Sequence, residues 1–255
     1  VSLDHNFGIS PEAFVRTLRH GYDRGYRGFY ICATLGYKQT GTSDDIEKLL
    51  IDIRQLYEEL RGIEIFLWVD AASDGLIRPF VDVAFRPLAS PYVQAIIADF
   101  HKYGYVSVPA AVLLLRREVV SRAQDYQRHG LLESRSALPA LVSWAAIEDL
   151  GISGFRKKAL ACQALRAYFL QQVTVRLPFL RVISPEANCS ILLIYPARFF
   201  RRFKRLENIF PIRCYEKILL VANRQQHICF SKIYFFPQQR RRDVDRMIEF
   251  LSRDV

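Results

Sequence analysis

The sequence contains no long hydrophobic run. Although 51% of its 255 residues are hydrophobic, no apolar stretch reaches the ~18 residues of a membrane-spanning helix. The opening residues, VSLDHNFGIS, also lack the charged-then-apolar order of a signal peptide. We therefore expect no membrane partner and a chain that buries a sizeable core, as one domain or a domain and a half. Because the sequence starts without methionine, within what resembles a strand and turn, we expect a piece of a longer protein or a processed chain.

Cysteine spacings typical of metal sites are also missing. The five cysteines are widely scattered, with no CxxC motif and no cysteine–histidine pairing at the separations that zinc sites use. Most lie in apolar runs, which is typical of buried free thiols in a reducing compartment. The sequence therefore predicts no metal site and a cytoplasmic location.

Positive charge is in excess and is concentrated late in the chain. The formal net charge is +10, and the densest basic stretches are RFFRRFKR (residues 198–205) and RRR (residues 240–242). Basic residues interleaved with aromatic ones can bind nucleic acid. More often they form a solvated face or contact an acidic partner, so nucleic-acid binding is the less favoured interpretation.

Two predicted strands end in charged side chains of opposite sign. The apolar run at residues 65–69 ends in Asp70, and the run at 95–98 leads through Asp99 and Phe100 to His101 and Lys102 on a predicted loop. Parallel strands joined by a helix present their carboxyl ends at one edge, where α/β sheets bind ligands. A lysine amine can form a Schiff base, and a carboxylate can keep a pyridine nitrogen protonated. This pairing is what a pyridoxal phosphate site needs.

The remaining pattern predicts an α/β region followed by a smaller α+β region. We place the boundaries at residues 1–130, a connecting helical segment at 131–160, and a C-terminal domain at 161–255. Helical spacing or capping signals predict helices at 11–21, 42–60, 134–151, 155–173 and 241–251. Apolar, β-forming runs predict strands at 28–34, 112–115 (buried), 180–183, 189–195, 218–222 and 228–236.

Four motifs together resemble one protein family. They are ATLGYKQTGTSDDI (33–46), WVDAASDGLIRPF (68–80), ADFHKYGY (98–105) and ESRSALPALVSWAAIEDLGISGF (133–155). In this order and spacing they resemble group II pyridoxal phosphate-dependent decarboxylases, which include the histidine, glutamate and aromatic amino acid decarboxylases and sphingosine phosphate lyase. The resemblance implies an α/β chain of the fold type I transferase class. This chain would supply the second half of the large parallel-sheet domain and a small C-terminal α+β domain.

The resemblance assigns roles to four residues at the two strand ends. Lys102 would carry the cofactor, pyridoxal 5'-phosphate, and act in catalysis. His101 would lie beside the cofactor phosphate or the reacting centre, in a catalytic or an orienting role. Asp70 would pair with the pyridinium nitrogen and make the ring an electron sink. Ala72 would lie under the ring, where only a small side chain fits.

Two further cofactor contacts are implied at positions where the chain departs from the family pattern. Lys38 stands where the family has a threonine that contacts the ring hydroxyl. Ser134 belongs to a turn that approaches the cofactor phosphate across a dimer interface, and Glu133 replaces the glycine of that turn. The family's glycine- and serine-rich phosphate loop belongs to an earlier half that these residues do not include.

The resemblance therefore predicts decarboxylation of an amino acid at a site that a missing N-terminal segment or a partner chain completes, with no activity expected in this chain alone. A homodimer or a complementing chain is the expected assembly. Two alternatives stay open. One is a non-catalytic relic or subunit of the fold, suggested by Lys38 and Glu133. The other is a carbon–carbon lyase acting on phosphorylated amino-alcohols, suggested by the HKYGY motif.

Overall fold

The computed structural model describes residues 1–120, 136–185 and 187–252. These residues form two four-stranded sheets. The first sheet, in the order β1-β2-β3-β4, contains β1 (Gly28–Thr34), β2 (Glu64–Asp70), β3 (Val93–Asp99) and β4 (Ala111–Leu115). The second, in the order β5-β6-β8-β7, contains β5 (Arg181–Ile183), β6 (Ser190–Tyr195), β7 (Ile212–Val221) and β8 (Arg224–Tyr234).

The helices are assigned in chain order. They are α1 (Pro11–Asp23), α2 (Ile46–Glu59), α3 (Arg78–Val81), α4 (Phe100–Tyr103), α5 (Leu138–Arg176), α6 (Phe200–Arg205) and α7 (Arg241–Ser252). Ser10 caps α1 by accepting from the Ala13 amide, and Asp45 caps α2 by accepting from the Lys48 amide. None of the helices in the described ranges is long and apolar enough to cross a membrane.

The first sheet has the parallel core that the sequence predicts. Strand β1 pairs with β2, and β2 with β3, all in parallel, whereas β4 runs antiparallel to β3. The prediction that residues 112–115 are buried was wrong: Leu113 is 54% and Leu114 49% exposed. The reason is that β4 ends the described sheet and pairs only with β3.

The two long helices expected after residue 134 are one element with a break. Helix α5 starts at Leu138, and only Gly151 leaves helical geometry, with φ 54° and ψ −176°. Glycine adopts this positive φ without the steric cost that a Cβ imposes. Beyond the break, Phe169 and Val173 of α5 share a core with Met247 of α7 and Ile191 and Phe235 of the second sheet region. The second half of α5 therefore covers the antiparallel sheet.

The two faces of the first sheet differ in how they are covered. On one face, Leu67 and Val69 are buried in a core with Ile53 of α2 and Phe14 of α1. We call the other surface the open face and define it by Tyr30, Cys32, Phe66, Trp68 and Asp70, which alternate with the buried positions along β1 and β2. Tyr30 of this face is 72% exposed, and its ring stacks on the Phe66 ring with the two ring centroids 5.4 Å apart.

Candidate functional site

Asp70 is the last residue of β2 and lies between Thr34 of β1 and Ile97 of β3 in the sheet register. Its Oδ1 accepts a hydrogen bond from the Ala72 amide at 3.0 Å. This bond turns the chain immediately after the strand, and the Ala72 carbonyl then accepts from the Asp99 amide at 3.3 Å. The ends of β2 and β3 are thus tied together by the loop that contains the predicted ring-contacting alanine.

Lys102 lies on the short helix α4 that directly follows β3, and not on a loop as the sequence suggested. Its Nζ is 3.0 Å from Oδ2 of Asp99, the last residue of β3. Asp99 is two residues beyond Ile97, the partner of Asp70, so its side chain belongs to the same sheet face as Asp70. The ion pair therefore brings the Lys102 amine to the open-face side of the sheet's carboxyl edge.

His101 is held next to the same carboxylate. Its Nε2 lies 3.5 Å from Asp99 Oδ2, and its Nδ1 lies 3.0 Å from the Ala110 carbonyl oxygen. The Ala110 carbonyl also accepts from the Phe100 amide at 2.8 Å, so α4 is anchored to the chain entering β4. Asp99, which the sequence analysis did not single out, is therefore the group that orients both predicted residues. Its position directly before the FHK stretch was the available signal.

A cleft of about 510 Å³ lies between the carboxyl edge of the first sheet and the second sheet. It brings together three predicted residues: Lys38, His101 and Lys102. Asp70 and Ala72 are outside its lining, and Ser134 lies outside the described residues. The cleft is lined by Lys38, Ser73, Asp74, Asp99, His101, Lys102, Tyr103, Ser190, Lys232, Tyr234 and Phe236.

The cleft also contains two charged residues that sequence reasoning missed. Asp74 is 4% and Lys232 2% exposed. Burial raises the pKa of Asp74 to about 7, against the opposing attraction of Lys232 and Arg78. Burial lowers the pKa of Lys232 to about 8, while Asp74 acts in the other direction. A lysine within the apolar strand ICFSKIYFF was the signal that could have identified the second group.

Asp44 shapes the loop between β1 and α2, whereas the adjacent Asp45 caps the helix. Its carboxylate accepts from the Ile9 amide at 2.7 Å, the Thr34 amide at 2.6 Å and the Tyr37 hydroxyl at 3.0 Å. Burial raises the pKa of Asp44, and these backbone donors act against that shift. The loop that carries Lys38 is therefore fixed by a buried carboxylate.

Comparison with known sequences gives a family match. The model of the pyridoxal-dependent decarboxylase conserved domain matches residues 1–195. A probable L-tyrosine/L-aspartate decarboxylase of Methanocella arvoryzae is 30% identical over 144 residues, which cover 52% of this chain and 36% of that protein. The histidine decarboxylase of Vibrio campbellii is 26% identical over 149 residues, covering 56% of this chain and 38% of that protein.

Solved structures share the fold at low sequence identity. Tryptophan decarboxylase of Catharanthus roseus aligns with a TM-score of 0.74 and 17% identity, covering 98% of this chain and 55% of that one. The sphingosine-1-phosphate lyase Bpss2021 of Burkholderia pseudomallei aligns with a TM-score of 0.71 and 18% identity, with the same two coverages of 98% and 55%. These similarities confirm the predicted fold class, and the chain spans about half the length of the structures it matches.

Proposed function

Because this chain belongs to the pyridoxal-dependent decarboxylase family, whose cofactor is pyridoxal phosphate, we propose that it forms the lysine-bearing half of an amino-acid decarboxylase site. The observation that supports the proposal most directly is the Lys102–Asp99 pair at the end of β3, one strand away from Asp70. Relatives named for tyrosine, aspartate and histidine share the family chemistry, so the substrate class proposed is an amino acid.

The residues present fit the cofactor in their donor chemistry. Lys102 offers the primary amine that would hold an aldehyde group, and Asp70 offers a carboxylate on the neighbouring strand for a ring nitrogen. The buried indole Nε1 of Trp68, on the same open face, has no hydrogen-bond partner among the described residues. An unpaired buried donor is costly, and a group supplied from outside these residues would satisfy it.

In this proposal each side chain has one task. The bound cofactor supplies an electron-withdrawing ring, which stabilises the charge left on the substrate carbon when carbon dioxide departs. Asp70 keeps the ring nitrogen protonated by a charged hydrogen bond. Asp99 positions the Lys102 amine, from which a proton can be returned to the substrate carbon. His101, fixed at Ala110, flanks that amine, and Ala72 leaves room beside the strand end.

We also propose that another segment or chain completes the site. The matched part of the chain corresponds to 36% of the archaeal relative and the structure to 55% of the plant enzyme. Parallel sheets are usually covered on both faces, whereas Tyr30 of the open face is 72% exposed. A second copy of the chain or a complementing chain covering this face would place further groups beside Asp70.

We further propose a cytoplasmic location, and the five free cysteines support it.

The test is covalent trapping of the cofactor. The chain, alone and together with candidate complementing segments, is incubated with pyridoxal phosphate, reduced with borohydride and digested for mass spectrometry. We expect a pyridoxyl group on Lys102, none on that site in Lys102→Arg, and unchanged labelling of Lys102 in the surface control Lys217→Met. Absence of label on Lys102 in every assembly would reject the proposal. Trapping without release of carbon dioxide from any amino acid would favour the non-catalytic relic.

A further inference from the structure

A groove between α1 and α2 lies away from the cleft that contains Lys102. It has a volume of about 520 Å³, and all of its lining residues belong to these two helices. Helices α1 and α2 cover the face of the first sheet opposite the open face. Among the described residues, none lines both the groove and the cleft. A ligand in the groove would therefore occupy a second, separate site.

The wall of the groove contains a buried carboxylate. Asp52 is one of the buried residues of α2, together with Leu49 and Ile53, and its side chain is 3% exposed. Lys48, one turn earlier, donates to Asp52 Oδ1, but the other oxygen, Oδ2, has no hydrogen-bond partner among the described residues. A buried charged oxygen without a donor is costly. An apolar side chain at this position would avoid that cost, so the carboxylate indicates a donor that comes from outside these residues.

Lys48 controls access to this oxygen. Its side chain is 44% exposed, and its ammonium, on a flexible four-carbon stem, can stay near Oδ1 while the stem moves toward solvent. This movement would open Oδ2 to the groove without repacking of Leu49 or Ile53. The Asp52 carboxylate can then accept from Lys48 at one oxygen and from a ligand at the other.

Arg16 of α1 supplies a positive charge on the other side of the groove. One nitrogen of its guanidinium donates to Asn223 Oδ1 at 3.2 Å, whereas an arginine side chain has five N–H donors. The two helices run in the same direction, since each precedes one of the parallel strands β1 and β2, and Arg19 pairs with Glu59 further along both. Arg16 lies one turn before this ion pair and Asp52 two turns before it, so their heights along the helices differ by ~5 Å. The long arginine side chain spans this offset.

We propose that the groove binds a free α-amino acid as a zwitterion, whose ammonium donates to Asp52 Oδ2 and whose carboxylate accepts from Arg16. A ligand with an amine alone would be repelled by Lys48 and Arg16, and one with a carboxylate alone would be repelled by Asp52. A molecule with both groups satisfies both walls of the groove through charge-assisted hydrogen bonds. Val15 offers apolar surface to the side chain of the ligand. The inference does not depend on the proposed decarboxylase site.

The test is an NMR titration of the isotope-labelled full chain without added cofactor. The probes are L-alanine, L-alaninamide, which has the ammonium group alone, and N-acetyl-L-alanine, which has the carboxylate alone. We expect alanine to bind at least about tenfold more tightly than either single-charge probe, because only alanine makes both charge-assisted hydrogen bonds. Its binding should shift the backbone amide signals of α1 and α2.

Two substitutions separate the two contacts. Asp52→Asn removes the charge that attracts the ammonium, so it should weaken alanine binding at least about tenfold and leave the affinity for N-acetyl-L-alanine no lower. Arg16→Gln should weaken alanine binding and leave alaninamide binding no weaker. The control Glu58→Gln, which neutralises an exposed residue of α2 outside the groove, should bind all three probes like the wild type. Because Arg16 is exposed, its variant decides the test if Asp52→Asn does not fold.

Three results would overturn the inference. The first is alanine binding no tighter than that of a single-charge probe, and the second is an alanine affinity unchanged in Asp52→Asn or in Arg16→Gln. The third is a set of alanine-dependent shifts confined to the cleft around Lys102, which would move the ligand to the other site. Borohydride trapping on Lys102 is independent of all three results, so this inference and the proposed function can fail separately.

Discussion

The two faces of the first sheet are built from the same strands but have different surroundings. Leu67 and Val69 are fully buried beneath α1 and α2, whereas Tyr30, two strand positions before Cys32, is 72% exposed. The residues that form the core therefore lie on one face of the sheet, and the residues of the proposed site lie on the other. The covered face holds the fold, and the open face presents Asp70 and the side of the sheet to which Asp99 draws Lys102.

Truncation of a side chain on each face gives the largest expected contrast. Leu67→Ala should lower the free energy of unfolding by about 2–5 kcal/mol, because it leaves a cavity in a closed core. Tyr30→Ala should cost less than ~1 kcal/mol, since it removes an exposed ring that stacks only at the surface. Urea unfolding followed by circular dichroism measures both. Equal losses would mean that the open face is as important to the fold as the covered one.

Substitution of the two carboxylates Asp44 and Asp70 should also lower the stability by different amounts, with the buried one costing more. Asp44→Asn should cost about 1–3 kcal/mol, because the amide turns a donor toward backbone groups that need acceptors. Asp70→Asn retains an acceptor oxygen for the Ala72 amide and should cost less than ~1 kcal/mol. The same urea experiment applies. A larger loss in the Asp70 variant would assign it a structural role.

A third contrast concerns the pH dependence of stability. The pKa of Asp74 is raised by burial from its ordinary range to about 7, so the folded chain holds a proton that the unfolded chain releases near pH 4. The contribution of Asp74 to stability is therefore fully present below pH 4 and is lost as the pH rises toward 7. Asp74→Asn should lose less stability than the wild type between pH 4.5 and 6.5.

Thermal unfolding at several pH values measures this difference, and each kcal/mol corresponds to roughly 2–4 °C in a chain of this size. Asp45→Asn serves as the control, because Asp45 is an exposed helix cap. Parallel curves for the wild type and Asp74→Asn would show that this carboxyl group ionises normally.

The smallest expected effect is a difference in the rate at which the cysteine thiols are alkylated, and it involves the open face directly. Cys32 is exposed, whereas the other four cysteines are buried. Its pKa is raised by partial burial, which slows reaction, but access should still make it the first thiol alkylated by iodoacetamide in the folded chain. Mass spectrometry with and without urea checks the order. A complementing chain that covers the open face should protect Cys32, and simultaneous labelling of all five thiols would contradict the comparison.

Most strands of the first sheet could be predicted from the sequence, because each is marked by its own run of apolar residues. β1 was predicted at its observed bounds, and the strands ending at Asp70 and Asp99 were located by their apolar runs. The exposure of β4 was not predictable, because it depends on which strands lie next to it. The same limit applies to the cleft: Lys38 and Lys102 came from motifs, but Lys232 enters through tertiary packing across 130 residues of chain. The predicted domain boundaries and the roles of the site residues stay predictions.

The hydrogen bonds from Asn188 and Lys232 to the loop after β1 have a consequence for how the cleft can form. Neither sheet can form the cleft in isolation, because the loop that carries Lys38 is held in place by hydrogen bonds from the second sheet region. A fragment that stops before β6 would keep the parallel strands yet lose the wall opposite Lys102. During folding, the cleft would therefore form only when the two sheets dock against each other.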